Sequence, residues 1–189
     1  MPGPRILVFA GSIRTGAFSA RLAGAALKEL VRMDVDASRI SLADYPLPLF
    51  DADLEAKQGV PAAARKLHDM MLAHRGIYIA TPEYNASLPP LLKNAIDWVS
   101  RIRDSRSPFR HCVFALGSTS NGRRGGYRAL MALRQVLELG LGALVIPEQV
   151  AVHDAERIFD DAGDLADETL AKMLRNSLAR LVALANVEH

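Results

Sequence analysis

The stretch RILVFAGSIRTGAFS, residues 5–19, places an apolar run directly before a turn with two glycines, an arginine and two serines. A short apolar run that ends in such a turn is typical of a buried strand leading into a helix. We therefore predict a first strand at 5–11. Similar runs, rich in β-branched residues, predict further strands at 76–81, 111–117 and 143–152, with a weaker one at 36–42.

Helical patterns fill the intervals between these runs, at 18–32, 61–74, 89–102, 126–140 and 165–186. Strands that alternate with helices indicate a parallel sheet, and continuously apolar strands indicate burial on both faces. The chain is thus predicted to be an α/β protein with a flavodoxin-like, doubly wound, five-stranded parallel sheet of order 2-1-3-4-5 and helices on both faces. We expect one domain over 1–189. Segment 43–59 is predicted to be a long loop, which in a compact domain is often functional.

Composition limits the partners and the compartment. The 189 residues are half hydrophobic, carry a formal net charge of +2 and include one cysteine, Cys112. So small a charge gives no strong attraction to nucleic acid or to an anionic membrane, and no apolar run approaches the length of a membrane span. A single cysteine permits no internal disulfide, which fits a reducing compartment. We expect a cytoplasmic protein without a nucleic-acid or membrane partner.

The first turn, 11–19, has the composition of an anion site. Gly11 and Gly16 have the spacing of a nucleotide-triphosphate loop, but the lysine and hydroxyl that should follow are absent. The dinucleotide fingerprint is absent too. A compact anion such as a phosphate monoester remains, with Ser12, Arg14, Ser19 and the amides of the helix that begins near Phe18 as donors. A plain strand-to-helix turn with Ser19 as its capping residue stays open as the alternative.

The segment TPEYNASLPPLLKNAIDW, residues 81–98, follows the third predicted strand. Pro82 restricts the backbone where that strand ends, Tyr84 supplies a flat amphipathic ring, and Asn85 offers a donor and an acceptor. Two prolines then open the next helix, where a missing N–H costs little. A planar heterocycle with polar edges would fit such a surface. An ordinary loop before a proline-initiated helix is the alternative.

Four segments together resemble the NADPH-dependent FMN reductase family, the flavodoxin-like group that includes chromate- and quinone-reducing flavoproteins. They are GSIRTGAFSARLA (11–23), LPLFDADLE (47–55), TPEYNASLPPLLKNAIDW (81–98) and GSTSNGRRGG (117–126), in the family's order and spacing. The resemblance implies that loop 11–19 holds the FMN phosphate, that loop 82–85 lines the isoalloxazine and ribityl region mainly through backbone groups, and that the third loop borders the ring. The residues that it implies for FMN binding are Ser12, Arg14, Ala17, Phe18, Ser19, Pro82, Glu83, Tyr84, Asn85 and Ser118.

Two positions of the first loop depart from the family pattern, since Ala17 stands where the family usually has serine and Ser19 where it has asparagine. The activity that the resemblance implies is an FMN-dependent NAD(P)H oxidoreductase. Hydride would pass from NADPH or NADH to FMN, and electrons would pass on to a quinone, flavin, azo dye or metal acceptor. The cofactor carries the chemistry, so no catalytic side chain is expected. A flavodoxin-type electron carrier is the alternative, although such carriers tend to be strongly acidic; a flavin-free interaction module is another.

Cys112 lies in an apolar run and is expected to fill the core, and the five histidines lack the spacing of a metal site. Arg123 and Arg124 could meet a dinucleotide phosphate or could be a solvated cluster. Helices 89–102, which contains Trp98, and 126–140 have more apolar surface than one sheet can cover, which predicts a homodimer or homotetramer.

Overall fold

The computed structural model describes residues 3–187. It contains one five-stranded sheet of order β2-β1-β3-β4-β5, in which each neighbouring pair is parallel. The strands are β1 (Ile6–Ala10), β2 (Ala37–Ile40), β3 (Gly76–Pro82), β4 (Val113–Thr119) and β5 (Leu144–Val152). The flavodoxin-like fold class is confirmed. The register pairs Ala10 with Ala80 and Pro82 with Thr119, so the exits of β1, β3 and β4 lie along one edge of the sheet.

Helices cover both faces of the sheet. They are α1 (Phe18–Arg32), α2 (Ala52–Gln58), α3 (Ala62–Leu72), α4 (Pro90–Ser100), α5 (Pro108–His111), α6 (Tyr127–Arg134) and α7 (Glu168–Ala185). Buried side chains of α1 and α7 form the core on one face, and those of α3, α4, α5 and α6 form the core on the other. None of the helices within residues 3–187 combines the length and the apolar character that crossing a membrane requires.

The boundaries differ from the predicted ones where a local signal is short. Segment 43–59 is not a continuous loop, because Asp51 caps a two-turn helix, α2, by accepting from the amides of Asp53 and Leu54. The last helix begins at Glu168 because Asp167 is its N-cap. The predicted strand at 111–117 is shifted to Val113–Thr119, since Pro108 starts the short helix α5 that takes in His111. The helical pattern at 126–140 continues beyond α6 as a π-helical turn, Gln135–Gly140.

The prediction that Trp98 enlarges an exposed apolar face is wrong. Its side chain is fully buried, its indole N–H donates to the carbonyl of Pro48 at 2.8 Å, and the ring of Phe50 packs edge-on at 5.1 Å between centroids. Segment 45–50 therefore covers α4 from within the same chain. Leu130 and Leu133 of α6 are buried as well, and the large apolar side chains of 126–140 that are exposed are Tyr127 and Leu139.

Candidate flavin site

The loop between β1 and α1 is open and rich in donors. Arg14 is exposed and takes part in no ion pair among residues 3–187, and its amide donates to the Ser12 hydroxyl oxygen at 3.3 Å. Gly16 has a φ of 70°, and a Cβ added there would meet no heavy atom within 4 Å. No acidic residue occurs in 11–19. This donor set and this open space fit a phosphate group.

The start of α1 adds main-chain donors to the loop. Its N-cap is Ala17, which has no side chain able to cap, so the amides of Phe18 and Ser19 have no acceptor within residues 3–187. Phe18 begins the helix and is half-buried. Such a helix start favours an anion through both its N–H groups and its dipole.

Ser19 does not play either of the side-chain roles expected of it. The alternative in which it caps the helix is wrong, because it lies inside the first turn, after the N-cap. Its hydroxyl is fully buried and has no partner within the described chain, so it does not face the open loop. What Ser19 contributes to this loop is its backbone amide, and Ser12 is the serine whose hydroxyl lies in the loop itself.

The loop after β3 is a rigid turn. The amide of Tyr84 donates to the carbonyl of Ser87, and the amide of Ser87 donates back to the carbonyl of Tyr84, both at 3.0 Å. Asn85 and Ala86, the central residues, have φ values of 48° and 66°, as in a type I′ turn. Left-handed backbone at an alanine is strained, and strain of this kind is found where function needs a fixed shape. Tyr84 is 44% exposed, so its ring is presented to solvent.

The loop after β4 is built by close packing. A Cβ at Gly125 would lie 2.6 Å from the carbonyl carbon of Ala151, and one at Gly126 would lie 3.0 Å from the Cβ of Ser118. The Ser118 hydroxyl is buried and donates to the carbonyl of Gly125 at 2.6 Å. Ser118 therefore supports the loop from beneath, and its side chain is not presented at the surface that would meet a ring.

Glu83 connects these two loops. Its side chain is 9% exposed, and its carboxylate accepts from the backbone amide of Arg128 at 3.1 Å and from its Nε at 2.8 Å; Nη2 of Arg128 donates to it as well. These hydrogen bonds lower the pKa of Glu83 below its ordinary value. The expectation for Glu83 concerned mainly its backbone. No local sequence pattern indicates this side-chain contact, because Arg128 lies 45 residues further along.

Gly117 is part of the motif at 117–126, and the packing of the core explains why this position is a glycine. A Cβ at this position would lie 2.1 Å from the hydroxyl oxygen of Tyr78, which is fully buried on the neighbouring strand. Burial raises the pKa of the Tyr78 phenol, so the group remains neutral. This glycine makes room for a core tyrosine, and the glycines that shape the loop are Gly125 and Gly126.

Of the other chemically reactive side chains, Cys112 lies in the core, whereas His153 follows β5, the end of which pairs with the end of β4. Cys112 is buried, its thiol contacts the carbonyl oxygens of Met71 and His74 at 3.4 Å, and burial raises its pKa to about 12. His153 pairs with Asp154 at 2.9 Å. Within residues 3–187 no group of three or more histidine, cysteine or acidic side chains is placed to hold a metal. Arg123 and Arg124 are exposed in the third loop.

The residues brought together at the carboxyl edge fit FMN. The first loop offers an exposed arginine, a hydroxyl and helix-start amides with no acidic side chain, which suits a phosphate dianion. The second and third loops offer a fixed turn with an exposed tyrosine and a closely packed backbone. In flavodoxin-like sheets, ligands bind at this edge, where the strand order reverses between β1 and β3. The order of the sheet and the position of the three loops at its carboxyl edge are those of a flavodoxin-like fold.

Comparison with known proteins identifies the family. A sequence model described as NADPH-dependent FMN reductase matches residues 4–157, so the chain belongs to the NADPH-dependent FMN reductase family. Over 179 residues it is 35% identical to an NAD(P)H-dependent FMN reductase of Pseudomonas aeruginosa, covering 94% of this chain and 92% of the relative. It is 33% identical to a quinone reductase of Escherichia coli over 167 residues, 87% of this chain and 86% of that one.

A solved structure agrees with this assignment. The flavoenzyme NAD(P)H:(acceptor) oxidoreductase FerB from Paracoccus denitrificans superposes with a TM-score of 0.79 at 26% sequence identity. The match covers 96% of this chain and 97% of that chain. The resemblance noted from the four sequence segments is thereby confirmed.

Proposed function

We propose that this protein is an FMN-dependent oxidoreductase that takes hydride from NADPH or NADH and passes electrons to a small acceptor such as a quinone, a free flavin, an azo dye or an oxidised metal ion. The observation that carries the proposal is the donor-rich loop 11–19, which has no acidic residue, beside the fixed turn 84–87 at one edge of the sheet, in a chain of this family. Bound FMN would supply hydride acceptance and onward electron transfer.

The part of the chain's own residues in this reaction is to bind and to orient. Ser12, Arg14 and the first-turn amides of α1 would hold the phosphate, with the guanidinium of Arg14 free to form a fork onto two of its oxygens. Turn 84–87 would set the position of the ring. The site needs no nucleophile, and Cys112 and His153 are assigned no part in the chemistry.

The proposal is tested by adding FMN to the purified protein and following the flavin absorbance and fluorescence. Binding at micromolar concentration is expected, and its absence would contradict the proposal. Rapid mixing of the loaded protein with NADPH then separates a reductase from a flavodoxin-type carrier, because a carrier would not be reduced directly. Steady-state rates with NADPH and NADH across a panel of acceptors would identify the donor and the acceptor class.

We further propose that the chain forms a homodimer or homotetramer. Support comes from Leu49, which is 79% exposed although its loop is fixed by hydrogen bonds from Asn94 and Trp98 to the carbonyl of Pro48. Tyr84 and Tyr127 expose nearly half of their surface as well. Rigidly presented apolar side chains favour association because little conformational entropy is lost. Analytical ultracentrifugation at micromolar concentration should show at least a dimer, weakened by Leu49→Glu; a monomeric wild type would contradict this.

Two further proposals concern the domain organisation and the cellular location. Residues 1–189 are proposed to form one FMN-binding domain, since α1, α3, α4, α5, α6 and α7 all contribute to the cores on the two faces of a single sheet. A cytoplasmic location is proposed from the single, buried and unpaired cysteine.

A further inference from the structure

Helix α6 begins without a cap of its own. Its N-cap is Gly126, which has a φ of 82° and no side chain. The amide of Tyr127 donates to the carbonyl of Arg124 and the amide of Ala129 donates to the carbonyl of Gly126, so the amide that needs an acceptor from elsewhere is that of Arg128. Glu83 supplies that acceptor from the loop after β3, through the hydrogen bond from the Arg128 amide. A carboxylate is well suited to this position because it also interacts favourably with the helix dipole.

The contact is stronger than an ordinary surface ion pair. Arg128 itself is 52% exposed, but the Glu83 side chain is 9% exposed and accepts from one backbone amide and from two nitrogens of the Arg128 guanidinium, Nε and Nη2. Its lowered pKa keeps the carboxylate ionised at neutral pH. The Glu83 side chain thus accepts a hydrogen bond from one amide at the start of α6 and also orients the guanidinium of Arg128.

The position of this contact gives it a consequence for the site. Gly125 and Gly126, directly before α6, are packed against Ala151 and Ser118. The loop after β4 is therefore fixed from within the sheet on one side and by Glu83 on the other. Glu83 in turn directly precedes the Tyr84–Ser87 turn. The two loops that would flank the isoalloxazine are joined at this one carboxylate.

We propose that Glu83 is a positioning residue: by capping α6 and orienting Arg128, its carboxylate sets the spacing between the loop after β3 and the loop after β4, and so shapes the place where the flavin ring binds. This inference rests on the proposed function for the identity of the ligand. The cap itself is a property of the chain without flavin, and it can be tested separately.

The first measurement is amide hydrogen exchange on the flavin-free protein. Glu83→Ala should lower protection over 119–129, because the amide of Arg128, the second residue of α6, loses its acceptor, while Glu83→Gln, which retains one acceptor oxygen, should lower it less. The matched control is Glu55→Ala, which removes a similar carboxylate that binds Arg101 through both oxygens at 2.8–2.9 Å, on α2 and away from the three loops. Unchanged protection over 119–129 in Glu83→Ala would overturn the proposal.

The second measurement compares the dissociation constants of FMN and riboflavin. If Glu83 positions the ring-binding loops, Glu83→Ala should weaken both ligands by the same factor, roughly five- to thirtyfold, the effect of losing a cap and a charged hydrogen bond. Glu83→Gln should recover part of the loss, and Glu55→Ala should change neither constant by more than about twofold. A loss confined to FMN, or none, would overturn the inference. If the wild type bound neither flavin, the proposed function would fall and the ring-positioning role with it, whereas the exchange result would still decide the cap.

Discussion

The first loop leaves polar groups exposed to solvent, whereas the loops after β3 and β4 engage polar side chains in hydrogen bonds within the protein. In 11–19 the arginine is exposed, Gly16 has open space around it, and the helix start has no side-chain cap. In the loops after β3 and β4, Glu83 and Ser118 are engaged by partners inside the protein, and Gly125 has no room for a Cβ. The first loop keeps donors available for an anion, as binding a phosphate requires. Polar side chains of the other two loops form hydrogen bonds within the protein and so fix the shape of those loops, as orienting a ring requires.

The largest expected difference between these loops is in how much a glycine-to-alanine substitution lowers the free energy of unfolding. Gly125→Ala should lower the free energy of unfolding by at least about 3 kcal/mol, because a left-handed alanine is strained and its Cβ would collide with backbone atoms of Ala151 and Val152. Gly16→Ala should cost only about 1 kcal/mol, since φ alone is unfavourable there. Urea unfolding of both variants measures this, and equal losses would show that the two loops do not differ in packing.

Arg14 is expected to have the next largest effect, on binding rather than on stability. Arg14→Ala should weaken FMN by roughly 1.5–3 kcal/mol, the contribution of a hydrogen bond to a charged group. Riboflavin, which lacks the phosphate, should bind almost as before. Fluorescence titration with both ligands makes the comparison. Equal losses for the two would mean that Arg14 supports the fold of the loop rather than the phosphate.

Ser12 and Ser19 form a matched pair within the first loop. Ser12→Ala should weaken FMN by about 1 kcal/mol, because a donor facing the phosphate is removed. Ser19→Ala should leave FMN affinity unchanged, since the Ser19 hydroxyl is buried, and it should not destabilise the fold, since that hydroxyl has no partner. The same titration, with thermal unfolding, checks both. A larger effect on FMN from Ser19→Ala than from Ser12→Ala would contradict the geometry described for α1.

The smallest effect is expected at the reactive side chains outside the three loops. Cys112→Ala and His153→Ala should keep flavin reduction within about tenfold of wild type, far less than the ~10²–10⁴-fold loss of a true acid or base. The raised pKa of the Cys112 thiol, about 12, leaves almost no thiolate at neutral pH. A thousandfold loss in a folded, flavin-loaded variant would show that the chemistry is wrongly assigned.

The sheet and its order could be predicted because each strand is a continuous apolar run and each interval has a helical pattern. The strand exits could be predicted for the same reason, and with them the loops of the site. Side-chain directions could not. Ser12 and Ser19 are both polar residues of segment 11–19. Only the structure, in which α1 begins at Phe18, shows that the side chain of Ser19 is buried. Glu83 and Arg128 meet across the fold, and Trp98 is covered by a distant segment, so no local pattern reports either contact.

Loop 11–19 and the two fixed loops are proposed to bind FMN together for reduction by a nicotinamide. The most direct test is rapid mixing of the FMN-loaded protein with NADPH, and in parallel with NADH, without oxygen and without an acceptor, while the flavin absorbance is followed. We expect at least one donor to bleach the flavin, at a rate that saturates with donor concentration. A protein that binds FMN and is reduced by neither donor would contradict this proposal.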